Sequence, residues 1–542
     1  MAHPMIADEV LRILTAAGLT RSDTTRKLIA CQNEIPPYLK QIIKQLLTKR
    51  ESKVNKESGE IKQDTFSKLI QDVHEKESKS MCVRLFKDAA DKFTQVPVFP
   101  QALARFYYII LTDYVNATYW AKEAIKRDQK NSFFRDTLGQ VYKNQLKKEI
   151  ATSARDILRI GKLALEAFED EIKIAEQEQE PGMQEDKVIN TSTIFNNRGL
   201  FGYIEVADII FNKLTCVNTE WANILTQETQ THSLIHPQMS EEHKSLLMTL
   251  RQRLEVRFEF FQTYLTYSVQ AINKKDPSYI WPSIKECYQK FRKKECQTAW
   301  QILQEGMATT FAGLLSTLED KSFSELELIT EQWRKMYEDD ADADAAQNYI
   351  LAKIILSQTS SASTVPIKEL QEILLQFWEK QKYDSSPEFY LLAILLFWPD
   401  GAQPPGNPNA PDLKKCVQDM RHSYKRTYQK HLRSRYLVPL FFFGKEGLQR
   451  LVYRSRLNQT DLNWLTNGDE SVEIEGLQRI RGEVRNHMIF VLRENNEMEV
   501  SAHNPASVYK SGLVSFYLGF TIRGPVAFNI RYVVSAVGFV DR

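Results

Sequence analysis

From the amino terminus to about Asn467 the apolar residues recur at steps of three and four, a period that predicts helix after helix. Ile6, Val10, Ile13 and Leu14 share one face until Gly18 interrupts it, and Leu39, Ile42, Ile43, Leu46 and Leu47 share the next. Thr48 to Gln63, rich in lysine and glutamate, predicts an exposed loop, and Phe66 to Phe93 returns to the helical period. Long amphipathic stretches follow at Leu246–Tyr267, Ile280–Phe291, Gln297–Leu318 and Leu326–Tyr337. Tyr390 to Trp398 is apolar on every side but far shorter than the ~20 residues a membrane span needs, so it predicts a buried core helix. After Asn467-Gly468 the period changes. Val484–Leu492, Met498–Ala502, Leu513–Phe520 and Val526–Val534 read as strands, punctuated by Asn495-Asn496, Asn504-Pro505 and Gly524-Pro525.

Within the helical part, small residues mark a specific packing. Ala117, Ala121 and Ala124 line one face, a polar turn follows at Asp128–Asn131, and the next helix carries Leu138-Gly139-x-x-Tyr142. Alanine and glycine let two backbones approach, and the tyrosine fills the gap between units, which is the pattern of a tetratricopeptide-like repeat. The predicted fold class is therefore mainly α, a helical-repeat superhelix closed by a small carboxy-terminal all-β domain of the OB type. The predicted divisions are a helical segment at 1–95, repeats at 96–180, a further helical-repeat region at 190–460 and the β-rich domain at 465–542. The polar stretch Glu176–Lys187, with Pro181-Gly182, predicts a linker between the second and third.

Bulk composition adds little until it is resolved along the chain. The 542 residues carry a net charge of +2, with 43% hydrophobic and 26% charged positions, which is ordinary globular composition with no global pull toward nucleic acid or membrane. Six cysteines are scattered without a C-x-x-C pair, as expected of reduced thiols in an intracellular protein. Between Lys414 and Arg456, however, twelve lysines or arginines stand against two acids. Arg421, Lys425, Arg426, Lys430, Arg433 and Arg435 recur at near-helical steps, with Tyr424, Tyr428 and Tyr436 between them. Cations beside aromatic faces suit a phosphate backbone with stackable bases, so these six are candidate phosphate contacts for RNA or DNA. A solvated helix face is the competing reading. The β-rich domain itself holds nine acids and eight lysines or arginines, an even balance that argues against nucleic-acid binding by that domain alone.

No catalytic constellation emerges. Phe443-Gly444-Lys445-Glu446-Gly447 lacks both the hydroxyl and the preceding glycine of a phosphate-binding loop. His232, His236 and His243 are interrupted by Pro237, and Cys287 and Cys296 have no recognised metal or redox spacing. Neither a cofactor nor a metal is expected, and the chain reads as a non-enzyme. Gly199-x-x-Gly202 reads as close helix packing.

Several stretches in colinear order resemble one family, the sterile alpha motif domain-containing protein 9 and 9-like proteins. Met1–Ala7 resembles the segment after that family's P-loop ATPase, and Asp136-Thr137-Leu138-Gly139-Gln140-Val141-Tyr142-Lys143 resembles its tetratricopeptide stretch. Leu395–Pro399 and Gly444–Val452 resemble later helical landmarks, and Val514–Pro525 resembles its carboxy-terminal β-domain. The resemblance implies the carboxy-terminal half of a cytoplasmic, interferon-linked antiviral and growth-restraining protein. In that family the nuclease-like and ATPase domains lie upstream, and no position here matches their functional residues. The expectation is either a truncated gene model or a short paralogue that keeps the sensing and regulatory half. Such a region acts as a scaffold for protein partners or for the family's own amino-terminal domains.

Overall fold

A computed structural model describes residues 16–31, 36–54, 61–149, 153–178, 195–226, 240–268, 277–292, 298–340, 342–359, 366–381, 385–398, 410–433, 435–444, 451–467, 473–493 and 496–533, with three positions nearer the amino terminus. Met1–Ala7, residues 179–187 of the predicted Glu176–Lys187 linker, Pro399 and residues 445–450 of the sequence-based reading lie outside the described residues. The chain forms two compact units: Met1–Phe258 with Gln270–Lys293, and Glu259–Val269 with Lys294–Arg542.

The first unit runs through α1 (Arg21–Ala30), α2 (Pro37–Thr48), a hairpin of β1 (Ser52–Val54) and β2 (Ile61–Gln63), α3 (Lys68–Lys76), α4 (Lys79–Lys92) and α5 (Val98–Phe106). Then come α6 (Tyr114–Arg127), α7 (Ser132–Lys148), α8 (Ala154–Gln177), α9 (Arg198–Val217), α10 (Trp221–Leu225), α11 (Glu241–Tyr267) and α12 (Pro277–Lys290). Two local differences from the sequence reading have plain causes. The Lys/Glu-rich stretch after Thr48 contains a short antiparallel hairpin, with Lys53 opposite Lys62. Phe66–Phe93 is two helices, because Glu77 leaves helical geometry and the Ser78 side chain accepts the Met81 N–H at 3.2 Å to start a new one, a cap contributing about 1 kcal/mol.

Glycine–aromatic contact packs the repeats. Ala117, Ala121 and Ala124 are fully buried on α6, and Asp113 caps that helix by accepting the Asn116 N–H at 3.0 Å. A β-carbon at Gly139 of α7 would stand 2.5 Å from the Phe168 ring of α8, and one at Gly202 of α9 would stand 2.4 Å from the same ring. One phenyl ring thus fills the space that two glycines leave on two different helices. Tyr142 is buried beside them and Leu138 packs partly buried against the neighbouring core.

The second unit contains α13 (Ala299–Gly306), α14 (Phe311–Asp320), α15 (Phe323–Asp340), α16 (Ala343–Thr359), α17 (Ile367–Gln381), α18 (Pro387–Phe397), α19 (Leu413–Thr427) and α20 (Gln429–Leu432). Then follow β3 (Phe441–Phe443), β4 (Leu451–Tyr453), α21 (Gln459–Asn467), β5 (Arg479–Arg485), β6 (Met488–Arg493), β7 (Asn496–Ala502), β8 (Gly512–Thr521) and β9 (Gly524–Tyr532). The α18 helix is the buried core helix expected from its all-apolar sequence: Pro387 through Leu396 are buried without a break. Just beyond it, Trp398 packs on Phe520 at 5.4 Å and Phe443 at 6.3 Å between ring centres, so helices and strands share one core.

The β-domain is a closed five-stranded barrel of OB-like topology. Its strands follow the order β8-β5-β6-β7-β9 and close through β8–β9, with β7 and β9 parallel and the other pairs antiparallel. The stretch Val484–Leu492 is a hairpin rather than one strand. Asn486 and His487 take φ of 50° and 61°, the left-handed pair that a two-residue turn requires and that asparagine tolerates. Two further strands, β3 and β4, extend the sheet from a region read as helical. β3 pairs with the end of β8, Phe441 opposite Phe520.

Candidate functional site

The basic segment is where sequence reasoning placed its candidate contacts, and the structure distributes them among different roles. Asp412 starts α19 by accepting the Lys414 N–H at 3.0 Å. The helix then turns one face inward through Cys416, Val417, Met420, Ser423 and Tyr424. Lys425 and Arg426 are on the exposed face, and Lys430 is half-buried on α20. Arg421 instead reaches the β-domain, where its guanidinium pairs with Glu499 and donates to Ser501 Oγ at 3.3 Å. Arg435 donates from Nε to Ser268 Oγ at 3.0 Å, and its guanidinium lies 4.4 Å from the Tyr264 ring centre. Arg433 holds its Nε and Nη1 out of solvent. The six cations therefore do not form one surface: Lys425 and Arg426 face outward, while Arg421 and Arg435 bind their own chain.

The interleaved tyrosines divide in the same way. Tyr436 is 71% exposed, whereas Tyr424 is buried and Tyr428 belongs to an interior network. Glu388, in the first turn of α18, is 4% exposed. Its Oε1 accepts from Tyr428 Oη at 2.6 Å and from Tyr267 Oη at 2.8 Å. Its Oε2 has no partner among the described residues. Burial raises the Glu388 pKa above the ordinary carboxylate value, and the two phenol hydrogen bonds pull it back. Burial and the adjoining carboxylate hold both phenols well above 10, so they are donors and not bases at neutral pH. The network ties the ends of α11 and α19 to the start of α18.

A cavity of about 460 Å³ borders this network, walled also by Trp300, Trp333, Asn348 and Asp342. Asn348 Oδ1 meets no donor among the described residues, and Trp333 Nε1 donates to the Ala308 carbonyl at 3.0 Å. This arrangement offers acceptors and aromatic faces. Sequence reading missed it because its parts come from six helices and the loop before α14.

The thiols and histidines add no reactive centre among the described residues. Burial pushes Cys82 and Cys416 up to about 12 and raises Cys287 as well, and Cys82 and Cys287 face the carbonyls of Ile70 and Ile204 at 3.6 Å. No group of three His, Cys, Asp or Glu side chains among the described residues could hold a metal ion; His232, His236 and Cys296 lie outside them. Nor is any described helix long and apolar enough to cross a membrane. Gly199 and Gly202 are packing positions, the first over Glu171 and Ile172 and the second over Phe168.

No protein-family profile matches the chain. It is 26% identical to the mouse (Mus musculus) protein named sterile alpha motif domain-containing protein 9-like, over 98% of this chain and 37% of that protein. It is 26% identical to human sterile alpha motif domain-containing protein 9, over 92% of this chain and 35% of that one. Human sterile alpha motif domain-containing protein 9-like gives 27% identity over 91% and 35%. The chain thus spans 35% to 37% of the length of the curated relatives it matches.

Proposed function

From the premise that this chain is a relative of the carboxy-terminal part of the sterile alpha motif domain-containing protein 9 and 9-like family, we propose that it is a non-catalytic regulatory region. It acts through protein–protein contact, on a partner or on the amino-terminal domains of a family member. The biological setting that goes with this reading is cytoplasmic, interferon-linked antiviral defence and growth restraint.

The observation that carries the reading is an apolar ridge on α2. Tyr38, Ile42 and Leu46 recur at four-residue steps and are 65%, 42% and 42% exposed, while Ile43 and Leu47 on the same helix are in the core. A helix that is apolar on its buried face needs no second apolar face to fold, and such a face is a docking feature.

The test is direct binding of the whole chain to purified amino-terminal domains of a family protein, measured by calorimetry. Ile42→Glu, at an exposed position, should weaken binding by about tenfold or more while the circular dichroism and melting temperature stay unchanged. Undiminished binding by that variant would remove the ridge as the contact.

A second reading, nucleic-acid binding, is favoured by one observation: Lys425, Arg426 and Tyr436 are exposed. It requires an affinity for RNA or DNA that falls steeply with salt, with the slope reduced by about 1 for each contacting cation removed. A flat salt response excludes it.

A further inference from the structure

Three arginines far apart in the sequence line one cavity of the first unit, a volume of about 260 Å³. Arg50 follows α2, Arg105 lies near the end of α5, and Arg198 opens α9. Gln101, Asp136 and Thr137 share the polar wall with Thr48, Thr65 and Ser67. Arg198 is anchored, its Nη1 3.5 Å from Asp136 Oδ2 and its guanidinium 5.4 Å from the Phe133 ring centre. Asp136 is itself fixed by the Gln140 amide at 3.1 Å. Arg105 donates to the Thr65 carbonyl at 3.3 Å. Gln101 donates to Thr137 Oγ1 at 2.9 Å and to the Phe133 carbonyl at 3.2 Å. For Arg50 no hydrogen-bond or ion-pair partner exists among the described residues.

Three guanidiniums facing one carboxylate leave two positive charges in excess in a half-enclosed space. The cost is visible at Arg50, whose pKa falls to about 10 through burial first and then through repulsion by Arg105 and Arg198. An unpaired cation held against two others is where a polyvalent anion is stabilised most. Guanidinium forks match tetrahedral oxyanions, two N–H groups to two oxygens. A dianion cancels the excess charge. The cavity is smaller than the pockets that hold drug-sized molecules, so it admits an anionic group with a small substituent.

We propose that this cavity binds the dianionic phosphoryl group of a small phosphate monoester. Arg50 and Arg105 grip its oxygens, and Arg198, held by Asp136, forms the fixed wall. The inference is independent of the protein-docking reading, since it concerns neither the α2 ridge nor α19.

Calorimetric titration of the whole chain with inorganic phosphate, ribose 5-phosphate, ribose, sulfate and succinate tests it. Saturable binding of ribose 5-phosphate is expected, with a dissociation constant between about 10 µM and 1 mM. Phosphate should bind more weakly and ribose not at all. Arg50→Gln should weaken ribose 5-phosphate by about tenfold or more without lowering the melting temperature of the unliganded protein. Should that variant melt early, Arg50→Lys, which keeps the charge and loses the fork, must still weaken binding. The proposal is overturned by absence of saturation, by equal affinity for sulfate or succinate, by tighter binding of free phosphate than of its ester, or by an Arg50 variant that binds normally.

Discussion

Arginines in the two units are used in opposite ways. In the second unit they are dense in sequence, between Lys414 and Arg456, yet Arg421 closes onto Glu499 and Arg435 onto Ser268 and Tyr264. In the first unit Arg50, Arg105 and Arg198 are isolated along the chain, yet they line one cavity with a single carboxylate. Charge density along a chain is therefore a poor guide to charge density in space. A run of cations spaced over a helix and a following loop is spread around the element and finds partners on every side. Cations delivered by three separate elements converge only through the fold.

This contrast can be broken by measurement. The largest effect belongs to the interior of the second unit: Glu388→Ala should lower stability by about 3–5 kcal/mol, since two buried phenols lose their acceptor. Denaturant unfolding reads it, and a loss below about 1 kcal/mol would show that the network is not the strut described. Next, Arg435→Ala should cost about 1.5–3 kcal/mol through its charged hydrogen bond and ring contact. Lys425→Ala, on the exposed face of α19, should stay within about 0.5 kcal/mol. Equal costs for the two would erase the distinction between strut and surface.

A smaller effect is expected in the first unit, at Glu171. This carboxyl is fully buried on α8, and burial, then Asp136 and Glu178, raise its pKa well above the usual value. The folded state therefore holds its proton more tightly than the unfolded chain does. Stability falls as pH rises above about 4.5, until the folded pKa is passed. Glu171→Gln is blind to this loss, so at pH 7 it should stabilise by about 1 kcal/mol, with the advantage vanishing toward pH 4. A pH-independent difference would mean that the group titrates normally. The smallest effect is at Arg50: Arg50→Gln should change stability by no more than a few tenths of a kcal/mol, upward, because it removes a repelled charge and no partner.

What the sequence made legible follows from range. The repeat signature was readable because Ala117, Ala121, Ala124 and Leu138-Gly139-x-x-Tyr142 encode contacts between neighbouring helices. The barrel was readable because alternation and turn residues are local. The turn at Asn486-His487 was overlooked because it lacks glycine and lies within a continuous apolar run. β3 and β4 were overlooked because three residues are too few to show a period, and Phe441-Phe442-Phe443 adjoins a basic, helix-like stretch. The identity of Phe168 as the ring between Gly139 and Gly202, and the meeting of Arg50 with Arg105 and Arg198, depend on tertiary placement that no spacing encodes.

The way the sheet ends has a consequence for how the protein behaves in a crowded solution. Within the larger sheet each barrel strand has a neighbour on both sides, and the sheet ends at β4, which is three residues long. A long free edge is a template onto which another chain can add and start a fibre. Here a β-rich domain with apolar strands offers only a stub to a stray strand. Lengthening β4 with alternating apolar residues should turn a self-contained barrel into one that polymerises.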